Sequence, residues 1–277
     1  MAKLEPYKGG YYLWKYVPSI AAAIIFLLCF LAATIFHFRK LSQTRARFCT
    51  AFSIGGLFEV AGYGGRAAAH HDTGSIIPYA IQNVFLLLGP TLFAASIYMV
   101  LGRIIRCLHA ESHSLIRINW LTKVFVSGDV LSFLIQGGAA GLMVSGSNSK
   151  MGSNIVVVGL LIQVMMFCFF ILTSVIFEIR MYRRPTAKTF AGGLDWKKHL
   201  RTLYALSALV LIRSVFRVFE YAAGSNGYLM EHEWPIYVFD ALLMFSVMVI
   251  WAIWHPGTLQ KFLEEENAQI RMDHELR

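Results

Sequence analysis

The sequence predicts an all-α membrane protein: a seven-transmembrane-helix bundle with the N-terminus outside and the C-terminus cytosolic. Three observations predict it. Apolar residues make up 57% of the 277-residue chain and charged residues only 15%, whereas a soluble domain carries roughly 25% charged residues. Seven apolar runs have the length of about 20 residues that crosses ~30 Å of hydrocarbon. Lysine and arginine are concentrated in alternate loops.

The seven predicted spans are separated by short polar loops. They cover residues 18–38, 48–69, 77–101, 121–144, 154–177, 200–221 and 234–254. The first run lacks a signal-peptide cleavage pattern and is followed by Arg39 and Lys40, so it is predicted to be retained as a helix. The predicted organisation is an extracellular N-terminal segment over residues 1–17, a seven-helix transmembrane domain over 18–257 and a cytosolic tail over 258–277.

The basic residues predict the orientation. Sixteen lysines and arginines lie in the segments 39–47, 102–120, 178–199 and 258–277, against four on the opposite side. Loops rich in Lys and Arg face the cytosol, so an odd number of spans places the amino end outside. The net charge of +9 is thereby explained by orientation rather than by nucleic-acid binding. Aromatic residues before the first span, Trp14 and Tyr16 among them, predict an interfacial anchor.

Ten of the polar or charged residues inside the predicted spans are candidates for a ligand-binding site, because an unpaired charge there is costly and often marks a pathway. Several share a helical face, since they are three, four or seven residues apart. Most fall in the outer half of the membrane, and two carboxylates fall near the midplane. The bundle is therefore predicted to close around one off-centre polar core. The candidate ligand-binding residues are Glu59, Arg66, Gln82, Asp129, Gln136, Gln163, Arg213, Arg217, Glu220 and Asp240.

Two interpretations of this core remain open at the level of sequence. In the first, the charges pair with one another, for example Arg66 or Arg217 with Glu59, Glu220 or Asp240, and lock the bundle. In the second, they line an outward-facing cavity for a polar headgroup. A cationic headgroup would contact the carboxylates, whereas an anionic headgroup would contact the three arginines. Separately, the dipeptide at 89–90 is predicted to kink the third span as a packing feature.

Short motifs recur in a fixed order along the chain. They include Glu59-x-x-Gly62-Tyr63-x-x-Arg66, Asp129-x-x-Ser132, Arg213-x-x-Phe216-Arg217-x-x-Glu220 and the closing His255-Pro256-Gly257. Their order across all seven spans resembles the fungal RTA-like proteins, also called the lipid-translocating exporter family. Two positions depart from the family pattern. Leu88-Gly89-Pro90 stands where the pattern has Leu-Ala-Pro, and Ala21-Ala22-Ala23 replaces a usual Asn, which puts a contribution of the first span to a polar site in doubt.

The resemblance implies a fungal membrane protein that exports or flips sphingoid bases and other amphiphiles and confers resistance to toxic lipid-like compounds; one branch handles porphyrins. It assigns no residue roles. The predicted function is accordingly the binding and translocation or export of amphiphilic lipids without an ATPase, because the chain has no Gly-x-x-x-x-Gly-Lys-Ser/Thr phosphate loop. The predicted location is the plasma membrane, with another secretory-pathway or vacuolar membrane as the alternative.

Two other functions compete with translocation. A seven-helix lipid or stress sensor that regulates other transporters suits the topology, although the third span lacks Asp/Glu-Arg-Tyr and the seventh lacks Asn-Pro-x-x-Tyr. A zinc-dependent intramembrane hydrolase needs about three histidines near one ion, and the histidines are split between the two sides. No catalytic residue, metal or cofactor is therefore predicted. The expected partners are membrane lipids or amphiphilic small molecules and not nucleic acid, and a homodimer is left open.

Overall fold

The computed structural model describes residues 4–7, 12–44, 46–144, 149–190, 195–223 and 227–275. Parts of the predicted N-terminal segment and tail (1–3, 8–11 and 276–277) lie outside the described residues. The long helices are α1 Ile20–Thr44, α2 Thr50–Ala69, α3 Ile76–Cys107, α4 Ile118–Val144, α5 Ser149–Arg183, α6 Trp196–Ala222, α7 Trp234–Ile253 and α8 Gly257–Glu275. Two helices of four residues, Ala187–Phe190 and Tyr228–Glu231, lie in the connections before α6 and α7.

Helices occupy all seven predicted positions within the described part of the chain. Several run past the predicted ends, as α3 does to Cys107 and α5 to Arg183, because hydropathy marks the hydrocarbon boundary and not the end of a helix. Six described helices, α1 and α3 to α7, are long and apolar enough to cross a membrane. The protein is therefore a multi-pass membrane protein. The remaining helix, α2, is less apolar because it carries Glu59, Arg66 and five glycines.

The helices form two groups that share α3 and α6. In one group α1 contacts α2 and α7, α2 contacts α3, and α6 contacts α3 and α7. In the other, α4 packs between α3 and α5, and α5 packs on α6. The central helix α3 is the most buried of the apolar helices, with 61% of its most apolar window inside the protein. Its neighbours therefore determine which polar residues can meet at the centre.

Apolar side chains cover the outside of the bundle as well as its core. Ile25, Leu134, Met165 and Ile253 have exposed fractions of 59%, 63%, 63% and 71%. Such residues on every outer face would destabilise a protein in water, whereas lipid tails solvate them. The outward surface of the helices is thus the lipid-facing surface.

Two glycines allow α2 to approach α3 closely. A Cβ at Gly62 would lie 2.5 Å from Cδ2 of Leu86, and a Cβ at Gly65 would lie 2.8 Å from Cγ2 of Ile81. Distances this short are steric overlaps, so both positions need glycine. By contrast, a Cβ at Gly64 would meet nothing closer than 3.7 Å, so packing does not require glycine at this position.

The corner between α7 and α8 closes against the end of α1. Thr44 Oγ1 lies 3.2 Å from His255 Nε2, and a Cβ at Gly257 would lie 2.9 Å from the His255 ring. Burial, with a further contribution from the charge of Lys40, lowers the pKa of His255 from 6.5 to about 4. The imidazole is therefore neutral at neutral pH.

Candidate functional site

The polar residues gather toward one end of the bundle, which we call the amino-terminal end because α1 begins there. Since consecutive helices run in opposite directions, α2 and α6 end there while α3 and α7 begin there. The structure groups the predicted residues into two clusters at this end and a third set on α4 and α5.

The first group, the Arg66 cluster, surrounds one fully buried guanidinium. Arg66 Nη2 donates to Glu233 Oε1 at 2.7 Å and to the Tyr16 hydroxyl at 3.1 Å. Its Nε donates to the Tyr237 hydroxyl at 2.9 Å, and its Nη1 donates to Gln82 Oε1 at 3.1 Å. Tyr237 also donates to Glu233 Oε1 at 2.9 Å. This guanidinium is therefore neutralised and hydrogen-bonded on all of its nitrogens.

The chain before α1 completes the Arg66 cluster. The guanidinium carbon lies 5.5 Å from the ring centre of Tyr16 and 5.8 Å from that of Trp14, within the range of cation–π attraction. The backbone N–H of Ser19 donates to Glu233 Oε1 at 2.8 Å. The prediction of an interfacial anchor is wrong for Trp14, which is only 5% exposed, and the segment before α1 contributes directly to the polar core.

The second group, the Asp240 cluster, contains two buried arginines of α6 around one carboxylate of α7. Arg213 Nε donates to Asp240 Oδ1, and Arg217 Nη2 donates to Asp240 Oδ2. Arg217 Nη1 donates to Glu220 Oε2 at 2.9 Å. These arginine and aspartate side chains are at most 7% exposed. An isolated charge at such a position would be strongly unfavourable, so the pairing is a condition of the fold.

A local departure from α-helical geometry presents the acidic residue of this cluster. The five residues Tyr237–Ala241 form a π-helical turn inside α7. Single π-helical turns inside α-helices are frequent at functional positions. This turn holds both Tyr237, which contacts Arg66, and Asp240, which contacts the arginines of α6. The widened turn thus connects the two clusters through one short segment.

Pro90 leaves one backbone carbonyl of α3 free to act as an acceptor in the Asp240 cluster. A proline has no N–H and leaves the carbonyl four residues earlier without its helical partner, which in α3 is the carbonyl of Leu86. That oxygen accepts a hydrogen bond from Arg213 Nη2. The proline, predicted to act through a kink, therefore also provides a backbone acceptor for a buried cation.

Glu59 lies beside the Asp240 cluster without an ion pair of its own. It is 1% exposed, and its Oε1 has no hydrogen-bond partner among the described residues. It interacts electrostatically with Asp240, Arg213 and Arg217. A Cβ at Gly89 would lie 2.6 Å from Glu59 Oε1, so the glycine that departs from the family's Leu-Ala-Pro pattern makes room for this carboxyl group.

The third set occupies α4 and α5. Asp129 is 1% exposed; its Oδ2 accepts from the Tyr98 hydroxyl at 2.9 Å, and its Oδ1 has no partner among the described residues. Gln136 Nε2 donates to Ser132 Oγ at 2.7 Å, which in turn donates to the Gly159 carbonyl at 2.6 Å. Gln163 is also buried. Asp129 is thus a second buried carboxyl group without a cation.

All ten predicted residues are buried, and the pairing among them is partly as predicted. Arg217 pairs with Glu220 and Asp240, whereas Arg66 pairs with Glu233 rather than with Glu59. Residues that the sequence reasoning omitted from the site are Tyr16, Tyr98, Glu233 and Tyr237. Glu233 directly precedes the seventh apolar run, and Tyr98 and Tyr237 count as apolar within their own runs. The sequence assigns Tyr16 to the interfacial anchor instead.

Within the described ranges, no three His, Cys, Asp or Glu side chains lie close enough together to hold a metal ion.

Comparison with known proteins identifies the family. The sequence profile described as "RTA1 like protein" matches residues 52–262. The chain belongs to the RTA1-like family. This RTA1-like chain is 34% identical to Protein RTA1 of Saccharomyces cerevisiae, over 95% of this chain and 90% of that protein. It is 33% identical to Protoporphyrin uptake protein 1 of the same yeast, over 88% of this chain and 92% of that protein.

A more distant relative is the Sphingoid long-chain base transporter RSB1 of Saccharomyces cerevisiae strain Lalvin EC1118. It is 25% identical over 87% of this chain and 72% of that protein. No solved structure matches this RTA1-like chain.

Proposed function

We propose that this RTA1-like protein binds amphiphiles with a cationic headgroup, such as sphingoid bases, and translocates or exports them across the membrane without an ATPase. The observation that carries the proposal is the pair of buried carboxyl groups on Glu59 and Asp129, each with one oxygen that has no hydrogen-bond partner among the described residues. A primary ammonium supplies the positive charge and the three donors that such groups lack.

The charge balance of the core favours a cation over an anion. Each of the three buried arginines already pairs with a carboxylate, namely Glu233 or Asp240, with Glu220 as a second partner of Arg217. Glu59 and Asp129 have no ion pair within the described structure. A cationic headgroup would satisfy these carboxyl groups, whereas an anionic headgroup would first have to displace buried ion pairs. Breaking one such pair costs about 3–5 kcal/mol.

The depth of the two carboxyl groups supports translocation rather than binding at the surface alone. Glu59 lies near the middle of α2, and Asp129 lies near the middle of α4. A cation that crosses ~30 Å of hydrocarbon meets its largest barrier at the centre. Carboxyl groups at that depth lower this barrier. Because Glu59 and Asp129 are 1% exposed, access for a headgroup requires that the surrounding helices move.

The names of the relatives agree with this substrate class in part. One relative is named a sphingoid long-chain base transporter, whose substrate by name carries an amine. Another is named a protoporphyrin uptake protein, and a porphyrin carboxylate would be recognised by arginines instead. The engaged arginines of this chain favour the amine.

The proposal includes a topology of seven crossings with the amino end outside. The helix α2 has 20 residues and is therefore about 30 Å long, enough to cross. It packs between α1 and α3, so its two charges face protein rather than lipid. The distribution of sixteen basic residues against four supports a cytosolic location for the end of the bundle with α8. We propose the plasma membrane as the location, with another secretory-pathway or vacuolar membrane as the alternative.

Transport by the purified full chain in liposomes tests the proposal. The matched substrates are sphinganine, which is cationic, and stearic acid, which has the same chain length and is anionic. We expect Glu59→Gln and Asp129→Asn each to slow sphinganine transfer about tenfold or more, the effect of about 1.4 kcal/mol. The control Glu231→Gln removes an exposed carboxylate and should leave the rate unchanged. Equal transfer of both substrates by all variants would contradict the proposal.

A lipid sensor that regulates other transporters is the second candidate, and one observation favours it. The helix α8 is fastened to the end of α3, because Arg103 Nη1 donates to Gln260 Oε1 at 2.6 Å and Leu259 is fully buried. A displacement of α3 in the core would therefore move α8. Sphinganine binding with no transfer in liposomes would favour this sensor over the translocator.

A further inference from the structure

A cavity of about 580 Å³ lies between the last turns of α3 and the first turns of α4, at the end of the bundle opposite the polar core. Three of the residues that line it are cationic: Arg103, Arg106 and Lys123. None of the described lining residues is acidic. The cavity is thus a concentrated positive site that the translocation of a cation does not use.

The three cations are held in place by contacts that leave charge available. The guanidinium of Arg103 lies 3.9 Å from the ring centre of Phe48 and donates to Gln260 on α8. Arg106 and Lys123 are exposed, and Arg106 makes only a long contact of 3.4 Å with Asn119. The carboxylate of Glu264 lines an adjacent cavity together with Arg47 and Arg103. It interacts electrostatically with Arg103, but it does not line the cavity of the three cations.

A glycine keeps the cavity open. Gly102 is buried in the interior of α3, yet a Cβ there would meet no atom within 4 Å. Close packing does not explain this glycine, in contrast to Gly62 and Gly65. A glycine inside a helix destabilises it by about 1 kcal/mol relative to alanine. Gly102 therefore weakens α3 locally, at the position where the cavity lies beside it.

The position of the cavity fits a lipid better than a soluble anion. The cavity extends along α3 from Arg106 to Met99, about 10 Å at 1.5 Å per residue, and Ile118 adds a second apolar wall. Trp120, beside the cavity, is 59% exposed, as expected for an aromatic residue at a membrane interface. From the end of the bundle inward, Arg106 and Arg103 of α3 precede Met99, which is the order of a phosphate headgroup and its glycerol and acyl chains.

We propose that this cavity binds the phosphate headgroup of an anionic phospholipid from the adjoining leaflet. Arg106 and Lys123 contact the phosphate oxygens, Arg103 of α3 supports them while it is held by Gln260 of α8, and Met99 contacts the glycerol and the first methylene groups. Basic pockets between transmembrane helices bind anionic headgroups by the same chemistry. Because Arg103 also holds α8, lipid occupancy is coupled to the position of α8.

The test measures lipid binding to the purified full-length chain in neutral detergent. The probes are dioctanoyl phosphatidic acid, dioctanoyl phosphatidylcholine and glycerol 3-phosphate. Arg106→Gln with Lys123→Gln removes two exposed charges and should weaken phosphatidic acid binding about 30-fold. Gly102→Leu fills the cavity without changing charge and should weaken binding about tenfold or more. The control, Arg183→Gln with Arg184→Gln, removes two exposed charges from the same end of the bundle and should not weaken binding.

Each other outcome counts against the lipid site. Unchanged phosphatidic acid binding in both the double variant and Gly102→Leu would overturn it. An equal loss in the control pair would show a general surface-charge effect, and glycerol 3-phosphate binding as tight as phosphatidic acid binding would show a soluble-phosphate site. Glu59→Gln should leave this binding unchanged, so the result is separate from the proposed transport.

Discussion

Removing the charge of Asp240 is the sharpest perturbation of the polar core. The substitution Asp240→Asn keeps the size of the side chain and one acceptor oxygen. It abolishes the only carboxylate that Arg213 contacts in the described structure, while Arg217 keeps Glu220. One buried cation therefore loses its counter-charge, and the second loses one of two.

The magnitude follows from these contacts. A hydrogen bond to a charged group contributes about 1.5–3 kcal/mol, and Asp240 accepts two of them from nearly inaccessible guanidinium groups. Removing one partner of a buried pair destabilises by about 3–5 kcal/mol, because the other charge stays buried. We expect a loss within that range, since Arg213 retains only neutral acceptors, namely the Leu86 carbonyl and the amide oxygen that replaces the carboxylate.

The assay is unfolding of the detergent-solubilised protein by titration with SDS. The control is Glu231→Gln, which removes a carboxylate that is exposed. That variant should change the stability by less than about 0.5 kcal/mol, as expected of a surface substitution. The double variant Asp240→Asn with Arg213→Gln should recover part of the loss. A loss below about 0.5 kcal/mol for Asp240→Asn, the size of a neutral surface substitution, would refute the pairing.

Three further expectations follow from the same structure. Gly89→Ala places a Cβ 2.6 Å from Glu59 Oε1, and overpacking of about 1–3 kcal/mol should outweigh the gain of about 1 kcal/mol in helix propensity, measured by SDS unfolding. With the native cysteines replaced by alanine, an impermeant maleimide should label Glu231→Cys in intact cells, but Arg183→Cys only after permeabilisation. The pKa of His255 is about 4 in the folded protein, against an ordinary value of 6.5. Its contribution to the free energy of unfolding is therefore complete above pH 6.5 and is lost as the pH falls toward 4. His255→Gln should reduce this loss of stability at acid pH.

Each of these three predictions has its own control or its own contrary result. Gly137→Ala in α4, where a Cβ would meet nothing within 4 Å, should be neutral or stabilising, and a similar loss there would show that the Gly89 effect is not steric. Labelling of both cysteine variants in intact cells would contradict the proposed topology. An acid loss that is identical in wild type and His255→Gln would show that this imidazole does not contribute.

The helices and the polar residues within them could be predicted from the sequence, because hydrophobicity and helical spacing are local properties. Runs of about 20 apolar residues located helices at every predicted position. The third span, which carries Gly89 and Pro90 in its interior, stayed helical, since Pro90 removes only one helical hydrogen bond. Helix ends were less accessible, because basic residues continue a helix beyond the hydrocarbon.

The ion pairing within the core could not be predicted from the sequence, because it depends on helix rotation and on a backbone irregularity. The π-helical turn at Tyr237–Ala241 has no apolar periodicity of its own, yet it sets the direction of Asp240. The partner of Arg66 is Glu233, which lies just before the seventh apolar run. The use of the Leu86 carbonyl requires the register between α3 and α6. Tertiary packing, rather than local sequence, decides each of these contacts.

The central claim, that the unpaired carboxyl groups of Glu59 and Asp129 recognise a cationic headgroup, is tested most directly by binding selectivity. The measurement compares the Kd of sphingosine with that of N-acetylsphingosine, which has the same chain but no charge, for the wild type and for Glu59→Gln with Asp129→Asn. We predict that the wild type binds sphingosine more tightly by about tenfold or more and that the double variant binds the two lipids equally. The same preference for sphingosine in both proteins would contradict the account.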